Sequence, residues 1–237
     1  MQFAAILAGG SGVRMGNPDK PKQFFFLGDK PILVHTLEKF CAAGCFDKVL
    51  VLTPATWVKQ TRDIVAKHCP QYVDQVEVIA GGAERNDTIM NAIAHFEKEC
   101  GADESSIIVT HDAVRPFVSL RIIEENVAAA REHGACDTVI PATDTIVESL
   151  DGTTISAIPN RSALYQGQTP QSFNMAELKR TLESLTEEER AILTDACKAF
   201  VLRGKPVALV RGDVENMKIT YPQDLRIAEA LLGAERC

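Results

Sequence analysis

The stretch FAAILAGGSGVRMGNPDKPK, residues Phe3–Lys22, decides the fold of this chain. It opens with the apolar run Phe3–Leu7, which is typical of a strand buried in a parallel sheet, and four glycines follow it. Glycine lets the backbone turn sharply, so that successive N–H groups can face an anion. Arg14, Lys20 and Lys22 add positive charge to the same loop. The stretch therefore predicts a strand and a loop that holds the phosphates of a nucleoside triphosphate.

The glycine spacing separates this loop from two common phosphate-binding loops. The dinucleotide fingerprint needs a glycine at its sixth position, but counting from Gly10 that position is Met15, which disfavours an NAD-type oxidoreductase. The Walker loop ends in Gly-Lys followed by Ser or Thr, and no glycine of the chain is followed in this way. A glycine-rich connection without a ligand, and a module that binds a nucleotide without catalysis, stay as alternatives.

Length and composition limit the class of protein further. With 237 residues, 46% of them hydrophobic, the chain suits one α/β domain spanning residues 1–237. The net charge of −7 argues against general nucleic-acid binding, although cations can still gather in one cleft. The chain lacks an apolar run long enough to span a membrane, and it begins directly in strand-like sequence. Neither a signal peptide nor an association with a membrane is therefore expected. Its seven scattered cysteines favour reduced thiols in a cytoplasmic protein.

Strand and helix patterns alternate along the first 141 residues. Such alternation is typical of βαβ crossovers, so we expect an α/β fold with a Rossmann-like, mostly parallel mixed sheet and helices on both faces. Strands are expected at 3–7, 48–52, 75–79, 106–110, 136–141 and 206–210, and helices at 31–44, 57–68, after 88, and at 120–133, 178–185, 193–200 and 222–232. Residues 186–190 are expected to be a cap and a solvated charged run, and Gly233 to cap the last helix.

A second glycine turn, residues 81–88, follows the third predicted strand and leads into a helix. Ligands of open α/β sheets bind beyond the carboxyl ends of the strands, so this turn should lie near the first loop. Asn86 or Asp87 could simply cap the helix, whereas Arg85 and Thr88 are less easily explained in that way. The turn is therefore a candidate second wall of the nucleotide site.

The fourth predicted strand runs directly into His111, Asp112 and Arg115. At the end of a strand, a carboxylate such as Asp112 can hold Mg²⁺ or order a ribose, and a guanidinium can bind a phosphate through two nitrogens. A plain salt bridge between Asp112 and Arg115 is the alternative. His111 is given no catalytic role, because a histidine at a strand end is more often hydrogen-bonded within the fold.

Residues 142–166, which we name the arm, follow a different pattern. Residues 144–148 alternate between polar and apolar, Asp151-Gly152 favours a hairpin turn, and residues 154–158 alternate back. An isolated two-stranded hairpin is marginal in water, so the arm is expected to lean on another surface. An ordinary excursion on the monomer is the alternative.

Three motifs carry a family resemblance that covers nearly the whole chain: Gly-Gly-x-Gly-x-Arg-Met with Pro21-Lys22-Gln23, Thr-Pro-Gln-x-Phe at 169–173, and Asn-x-Lys-x-Thr at 216–220. They resemble the sugar-nucleotide pyrophosphorylase-like nucleotidyltransferases, and within them the cytidylyltransferases of polyol phosphates. The resemblance implies that CMP passes from CTP to a polyol phosphate, with Mg²⁺ and with pyrophosphate released. It also implies a homodimer in which the arm embraces the second subunit.

The resemblance implies roles for individual residues of this sequence. Arg14, Lys22 and Lys218 are expected to be catalytic, because transfer between two polyanions needs cations rather than a nucleophilic Ser or Cys. Asp112 is the expected metal ligand. The expected CTP-binding residues are Leu7, Ala8, Gly9, Gly10, Gly12, Gly82, Arg85, Asp87, Thr88 and Asp112. The expected acceptor-binding residues are Ala113, Arg115, Thr145, Arg161, Thr169 and Thr194, with Arg161 reaching the neighbouring subunit's acceptor.

Two acceptors compete on the sequence evidence. Five segments resemble the branch that uses ribitol 5-phosphate, of teichoic-acid and related surface polymers: Leu-Ala-Gly-Gly, Pro-Lys-Gln-Phe, Asp-Thr-Ile-Val-Glu-Ser, Tyr-Gln-Gly-Gln-Thr-Pro-Gln-Ser-Phe and Leu-Thr-Asp-Ala-Cys-Lys. The other acceptor is 2-C-methyl-erythritol 4-phosphate, of isoprenoid precursor synthesis. Physical reasoning does not separate them, since both offer one phosphate and several hydroxyl groups.

Overall fold

A seven-stranded sheet organises the computed structural model, which describes residues 1–10, 12, 15, 20–193 and 195–235. The strands are β1 (Gln2–Leu7), β2 (Phe26–Leu27), β3 (Lys30–Pro31), β4 (Lys48–Thr53), β5 (Val76–Ala80), β6 (Ile107–Asp112), β7 (Ala135–Pro141), β8 (Tyr165–Asn174) and β9 (Ala208–Arg211). Their order across the sheet is β5-β4-β1-β6-β8-β7-β9, and β2 pairs with β3 outside it. Neighbours in the sheet run parallel except where β8 pairs antiparallel with β6 and β7.

Helices cover both faces of the sheet. They are α1 (Ile32–Ala42), α2 (Val58–His68), α3 (Arg85–Glu99), α4 (Leu120–His133), α5 (Met175–Glu183), α6 (Glu187–Ala191), α7 (Ala196–Leu202) and α8 (Pro222–Glu235). One apolar core joins α1, α2 and α4 to one face, and a second joins α3, α5 and α7 to the other. Successive residues of β1 enter opposite cores, which explains its continuous apolar sequence. In the part of the chain that the structure describes, no helix is long and apolar enough to cross a membrane.

The expected fold class is confirmed, and the parallel strands and long helices lie close to their predicted positions. The main error concerns β8, because no strand was predicted between residues 141 and 206 outside the arm, which was expected to end at residue 166. The strand instead lies inside the sheet, between β6 and β7. Its polar sequence concealed it, because buried side chains such as Gln168 and Ser172 find partners in distant segments: Asn216 and Asn126 respectively.

Two smaller predictions about the last third of the chain are wrong, and one is confirmed. Residues 186–190 are the expected cap and solvated charged run, since Thr186 caps residues 187–191, which also form a short helix, and none of these is buried. Helix α7 begins at Ala196 rather than at residue 193, since the Asp195 carboxylate accepts a hydrogen bond from the backbone N–H of Lys198. Gly233 lies within α8 and does not cap it.

The arm is an extended segment held mainly by turns. The expected hairpin is reduced to one isolated bridge between Glu148 and Ala157. Its tip is a turn in which the Asp151 carboxylate accepts hydrogen bonds from the backbone N–H groups of residues 153 and 154. Leu150 at the tip is 86% exposed and Ile158 is 61% exposed, so the arm presents apolar side chains to solvent in the single chain.

Candidate active site

A cavity of about 350 Å³ opens beyond the carboxyl ends of β1 and β6, beside the N-terminus of α3. The chain passes from β1 outward to β4 and β5 and then returns to place β6 on the other side of β1. Such a reversal leaves a crevice at the strand ends, which is where open α/β sheets bind ligands. The cavity is lined by Leu7, Ala8, Gly9, Gly10, Gly12, Lys22, Gln23, Gly82, Ala83, Glu84, Arg85, Thr88, Asp112, Ala113, Val114, Lys218 and Thr220.

The first glycine loop lies over Lys22 and Gln23. Gly12 has a φ of +71°, and a Cβ there would lie 3.1 Å from the backbone nitrogen of Lys22, so the position requires glycine. The Gln23 side-chain amide donates a hydrogen bond to the Ala8 carbonyl oxygen at 2.6 Å. The Lys22 ammonium donates to the Ile219 carbonyl oxygen at 2.8 Å, so the loop is tied to the segment that carries Lys218. Arg14 lies outside the described residues.

The second glycine turn is closed around the start of α3. A Cβ on Gly82 would lie 2.3 Å from the Cβ of Asp87, so only glycine fits there. The Thr88 hydroxyl accepts a hydrogen bond from the Gly82 N–H and donates one to the Glu84 carbonyl oxygen. Asp87 and Glu84 form a capping box at the helix start. Asp87 therefore caps α3, whereas Thr88 both stabilises the turn and lines the cavity.

Asp112 is the electrostatic centre of the cavity wall. One carboxylate oxygen lies 2.6 Å from a guanidinium nitrogen of Arg85, and the other lies 2.9 Å from the Lys218 ammonium and 3.6 Å from Arg115 Nε. Burial by itself would raise the pKa of Asp112, but the three cations outweigh it and hold the pKa well below its usual range. Asp112 is therefore ionised, and it fixes the direction of the cations that lie against the cavity.

A buried polar network behind Asp112 holds the carboxylate in place. The Thr169 hydroxyl accepts a hydrogen bond from the Asp112 N–H and lies 3.0 Å from His111 Nδ1. His111 Nε2 lies 3.1 Å from the Arg115 carbonyl oxygen, which can only accept, so Nε2 carries the proton and Nδ1 accepts from Thr169. Burial lowers the pKa of His111 to about 3, which keeps the ring neutral. This neutral ring supports the network, so the expectation that His111 is hydrogen-bonded within the fold is confirmed.

Two of the predicted acceptor-binding residues belong to this network. Arg115 is 9% exposed and donates a hydrogen bond to the Asn216 carbonyl oxygen, while the amide of Asn216 donates to the Thr169 carbonyl oxygen. Thr169 is 4% exposed. Neither side chain lines the cavity in the single chain, whereas Ala113 does. An acceptor role for Arg115 and Thr169 stays a prediction, and the contacts seen here are those of residues that position Asp112.

The remaining acceptor candidates lie away from the cavity or outside the described residues. Thr145 and Arg161 are exposed on the arm, where the Arg161 guanidinium donates a hydrogen bond to the Thr143 carbonyl oxygen at 3.0 Å. Thr194 is not among the described residues. Gln23 and Thr220 also line the cavity and were not predicted to do so, although both stand inside the motifs Pro21-Lys22-Gln23 and Asn-x-Lys-x-Thr.

The fold and this cavity define an α/β protein with a glycine-lined, cationic pocket at the carboxyl edge of its sheet, an arrangement suited to nucleotide phosphates. Comparison with known families makes the class more specific. The sequence model of the family described as "IspD: 2-C-methyl-D-erythritol 4-phosphate cytidylyltransferase" matches residues 3–234. The chain therefore belongs to the IspD family of cytidylyltransferases, which are nucleotidyltransferases.

Solved structures show the same fold along almost the whole chain. The 2-C-methyl-D-erythritol 4-phosphate cytidylyltransferase from Thermus thermophilus is 28% identical, with a TM-score of 0.73 and 98% of each chain covered. The 4-diphosphocytidyl-2C-methyl-D-erythritol synthase from Anaerococcus prevotii is 25% identical, with a TM-score of 0.79, 98% of this chain and 96% of that chain covered. The Francisella tularensis cytidylyltransferase is also 25% identical, with a TM-score of 0.79 and coverage of 97% and 98%.

Proposed function

We propose that this cytidylyltransferase transfers CMP from CTP to D-ribitol 5-phosphate, giving CDP-ribitol and pyrophosphate. The observation that best supports transfer of CMP, whichever acceptor is used, is the group of cations held around Asp112 at the cavity wall. Cytidylyl transfer brings an anionic phosphate to a triphosphate, so a site that holds cations in fixed directions lowers the barrier through charge and alignment.

The reaction needs no nucleophile from the protein. An oxygen of the acceptor phosphate attacks the α-phosphorus of CTP, the new P–O bond forms opposite the bond to the β-phosphate, and pyrophosphate leaves with that electron pair. Lys22 and Lys218 line the cavity from two chain segments that are tied together at Ile219. Together with Arg14 and the amides of the glycine loop, they would offset the charge that develops on the phosphorus. The second glycine turn would hold the cytosine and ribose, with Thr88 at its edge.

We propose Mg²⁺ as the metal and Asp112 as its protein ligand. In the described part of the chain, no cluster of three or more His, Cys, Asp or Glu could hold a metal. Mg²⁺ does not require such a cluster, because it is commonly bound by one or two carboxylates together with waters and substrate phosphates. The ionised Asp112 at the cavity wall fits that donor set when the phosphates of CTP take over Arg85 and Lys218, which pair with both of its oxygens in the single chain. When bound, the ion would neutralise part of the triphosphate charge.

The proposal of ribitol 5-phosphate rests on the five sequence segments described above. Their residues include Thr145 on the arm and Thr169 beside Asp112. The second candidate acceptor is 2-C-methyl-D-erythritol 4-phosphate, which is favoured by the description of the matching family and by the names of the similar solved structures.

A pyrophosphate-release assay with each acceptor distinguishes the two. The enzyme is incubated with CTP, Mg²⁺ and either ribitol 5-phosphate or 2-C-methyl-D-erythritol 4-phosphate, and kcat/KM is measured for each. We expect a higher kcat/KM with ribitol 5-phosphate. A higher value with the methylerythritol phosphate would replace the first acceptor by the second, and release of no pyrophosphate with either would refute a polyol phosphate acceptor.

We further propose that the arm forms a homodimer. The exposed Leu150, Ile155 and Ile158 support this proposal, because together they present apolar area that a second subunit would remove from water. Arg161 at the base of the arm would then bind the acceptor phosphate of the neighbouring subunit. Sedimentation at micromolar concentration tests the dimer: a monomeric mass together with full activity would refute it.

A further inference from the structure

A second polar group lies two strands from Asp112 and takes no part in the network described above. Asp137 on β7 is half-buried, and one of its carboxylate oxygens accepts a hydrogen bond from the Gln171 side-chain amide at 3.1 Å. Gln171 is 2% exposed, and its own amide oxygen has no hydrogen-bond partner among the described residues. A buried side-chain amide whose NH₂ group is hydrogen-bonded but whose oxygen is not is unfavourable, unless another group supplies a hydrogen-bond donor to that oxygen.

The sheet register relates this pair to the active site. Gln171 lies opposite Asp137 on one side and opposite Thr110 on the other, so the three form one row across β7, β8 and β6. Asp112 is two residues beyond Thr110, and residues two apart on a strand lie on the same face. Asp137 therefore lies about 10 Å, two strand spacings, from Thr110, and about 12 Å from Asp112, which is about 7 Å further along β6 on the same face. That separation is comparable with the length of an extended five-carbon polyol phosphate.

Space is available beside the second oxygen of Asp137. That oxygen, Oδ2, lies 3.6 Å from the point where a Cβ on Gly167 would stand. Gly167 leaves this position empty, and a larger residue there would occupy it. One oxygen of the Asp137 carboxyl group is thus held by Gln171, and the other lies beside the space left by the absent side chain of Gly167.

The charges around Asp137 suit a hydroxyl group near an anionic substrate. Burial raises the pKa of Asp137 to about 7, with a weaker opposing effect of the Gln171 hydrogen bond and a further increase from Asp195. Cys197 of α7 and the Arg115 guanidinium are the other titratable or charged groups that interact with it. A carboxyl group that is partly protonated near neutral pH can donate or accept a hydrogen bond and repels a nearby phosphate less than a full carboxylate would.

We infer that Asp137, positioned by Gln171, binds a hydroxyl group of the acceptor polyol and helps select the acceptor. The inference rests on the proposed function, since it requires a polyol phosphate as the acceptor. Asp195 immediately follows Thr194, an expected acceptor-binding residue, in the sequence. The charge of Asp195, which caps the start of α7, raises the pKa of Asp137. The start of α7 therefore lies near the proposed hydroxyl-binding position at Asp137.

Steady-state kinetics of Asp137→Ala test the inference. Removing a hydrogen bond that involves a partly charged group should raise the KM for ribitol 5-phosphate about tenfold or more, while the KM for CTP stays within about twofold. Asp137→Leu keeps the branched shape of the side chain without the hydrogen bond and should show the same loss. Asp137→Asn retains both donor and acceptor and should restore the KM to within about threefold of wild type. Asp63→Asn, on the exposed side of α2, is the matched control.

Deoxy analogues of ribitol 5-phosphate turn this test into a double-mutant cycle. For the analogue that lacks the hydroxyl bound by Asp137, the difference between wild type and Asp137→Ala should disappear, whereas it should persist for the other analogues. An equal loss with every analogue, an equal loss for CTP, or no loss at all would overturn the inference. If the wild type itself releases no pyrophosphate with any polyol phosphate, the proposed function fails and the inference fails with it.

Discussion

Replacing Lys218 by alanine separates catalysis from folding at the centre of the site. The Lys218 ammonium lies 2.9 Å from an oxygen of the buried Asp112 carboxylate, but the lysine side chain is itself 41% exposed. After its removal, Asp112 still has Arg85 at 2.6 Å and Arg115 at 3.6 Å. The carboxylate therefore stays paired, and we expect the free energy of unfolding to fall by only about 1 kcal/mol or less, as for other partly exposed ion pairs.

The same change should reduce turnover far more strongly. In the proposed mechanism Lys218 offsets charge that develops on the transferring phosphorus, and removal of one such fixed group typically lowers kcat by about 10²–10³-fold. The assay follows pyrophosphate release at saturating CTP and acceptor, and urea unfolding gives the stability of the same preparation. Lys98→Ala is the matched control, because Lys98 also forms an ion pair, with Glu99, but is 81% exposed on the outer part of α3.

The two measurements together decide the role of Lys218. Activity within about threefold of wild type would refute a catalytic role, because one fixed cation in a phosphoryl-transfer site should contribute more than this. A loss of stability as large as the loss of transition-state stabilisation would show instead that Lys218 holds the site together. Lys218→Arg keeps the positive charge but replaces the compact ammonium by a planar guanidinium. Relative to Lys218→Ala, it should recover part of kcat and nearly all of the stability.

Three further predictions address other parts of the chain. Gly82→Ala should destabilise the fold by about 1–3 kcal/mol and weaken CTP binding in calorimetry, because the new Cβ would lie 2.3 Å from Asp87; unchanged affinity would contradict this reading of the turn. Asp137→Asn should gain stability over wild type as pH rises from about 4 to 8, because folded Asp137, with a pKa of about 7, retains a proton that the unfolded chain has released. Urea unfolding across this range should show a difference on the order of 4 kcal/mol, and a difference that shrinks toward high pH would be the wrong sign. Arg161→Ala and Lys218→Ala, each inactive alone, should regain activity when mixed if Arg161 acts across the dimer, and mixtures that stay inactive would place it in its own subunit's site.

The strands that could be predicted from sequence are those in which both faces meet an apolar core. In β1, Phe3 and Ala5 enter one core while Ala4 and Ile6 enter the other, so the run is apolar throughout. Strand β8 differs because its burial depends on hydrogen bonds. Gln171 bonds to Asp137 across the sheet, 34 residues away in sequence. Partners so distant along the chain leave no local pattern, and the polar sequence of β8 is therefore typical of a loop when taken alone.

The candidate site shows the same division between local and long-range information. The rule that parallel strands end at one edge was enough to predict that Arg85 and Asp112 lie near each other, whereas Lys218 was predicted as a site residue only through the family resemblance of its motif. The sequence did not reveal which polar residues face the cavity and which support it. Thr169 and Arg115 were expected to bind the acceptor, yet their hydrogen bonds in the single chain run to Asp112, His111 and Asn216. That assignment depends on side-chain direction, which a motif does not encode.

The charge around Asp112 explains how a chain with a net charge of −7 can attract a polyanion. Arg85, Arg115 and Lys218 surround one carboxylate, so this cluster alone carries a positive excess, and Lys22 adds to it from the facing loop. Attraction in a cleft depends on local charge rather than on the total. Because Asp112 pairs with the cations that the phosphates need, CTP must compete with it for Arg85 and Lys218. The cations are already gathered at the cavity wall before the nucleotide arrives, so binding exchanges the partner of Arg85 and Lys218 rather than bringing the cations together.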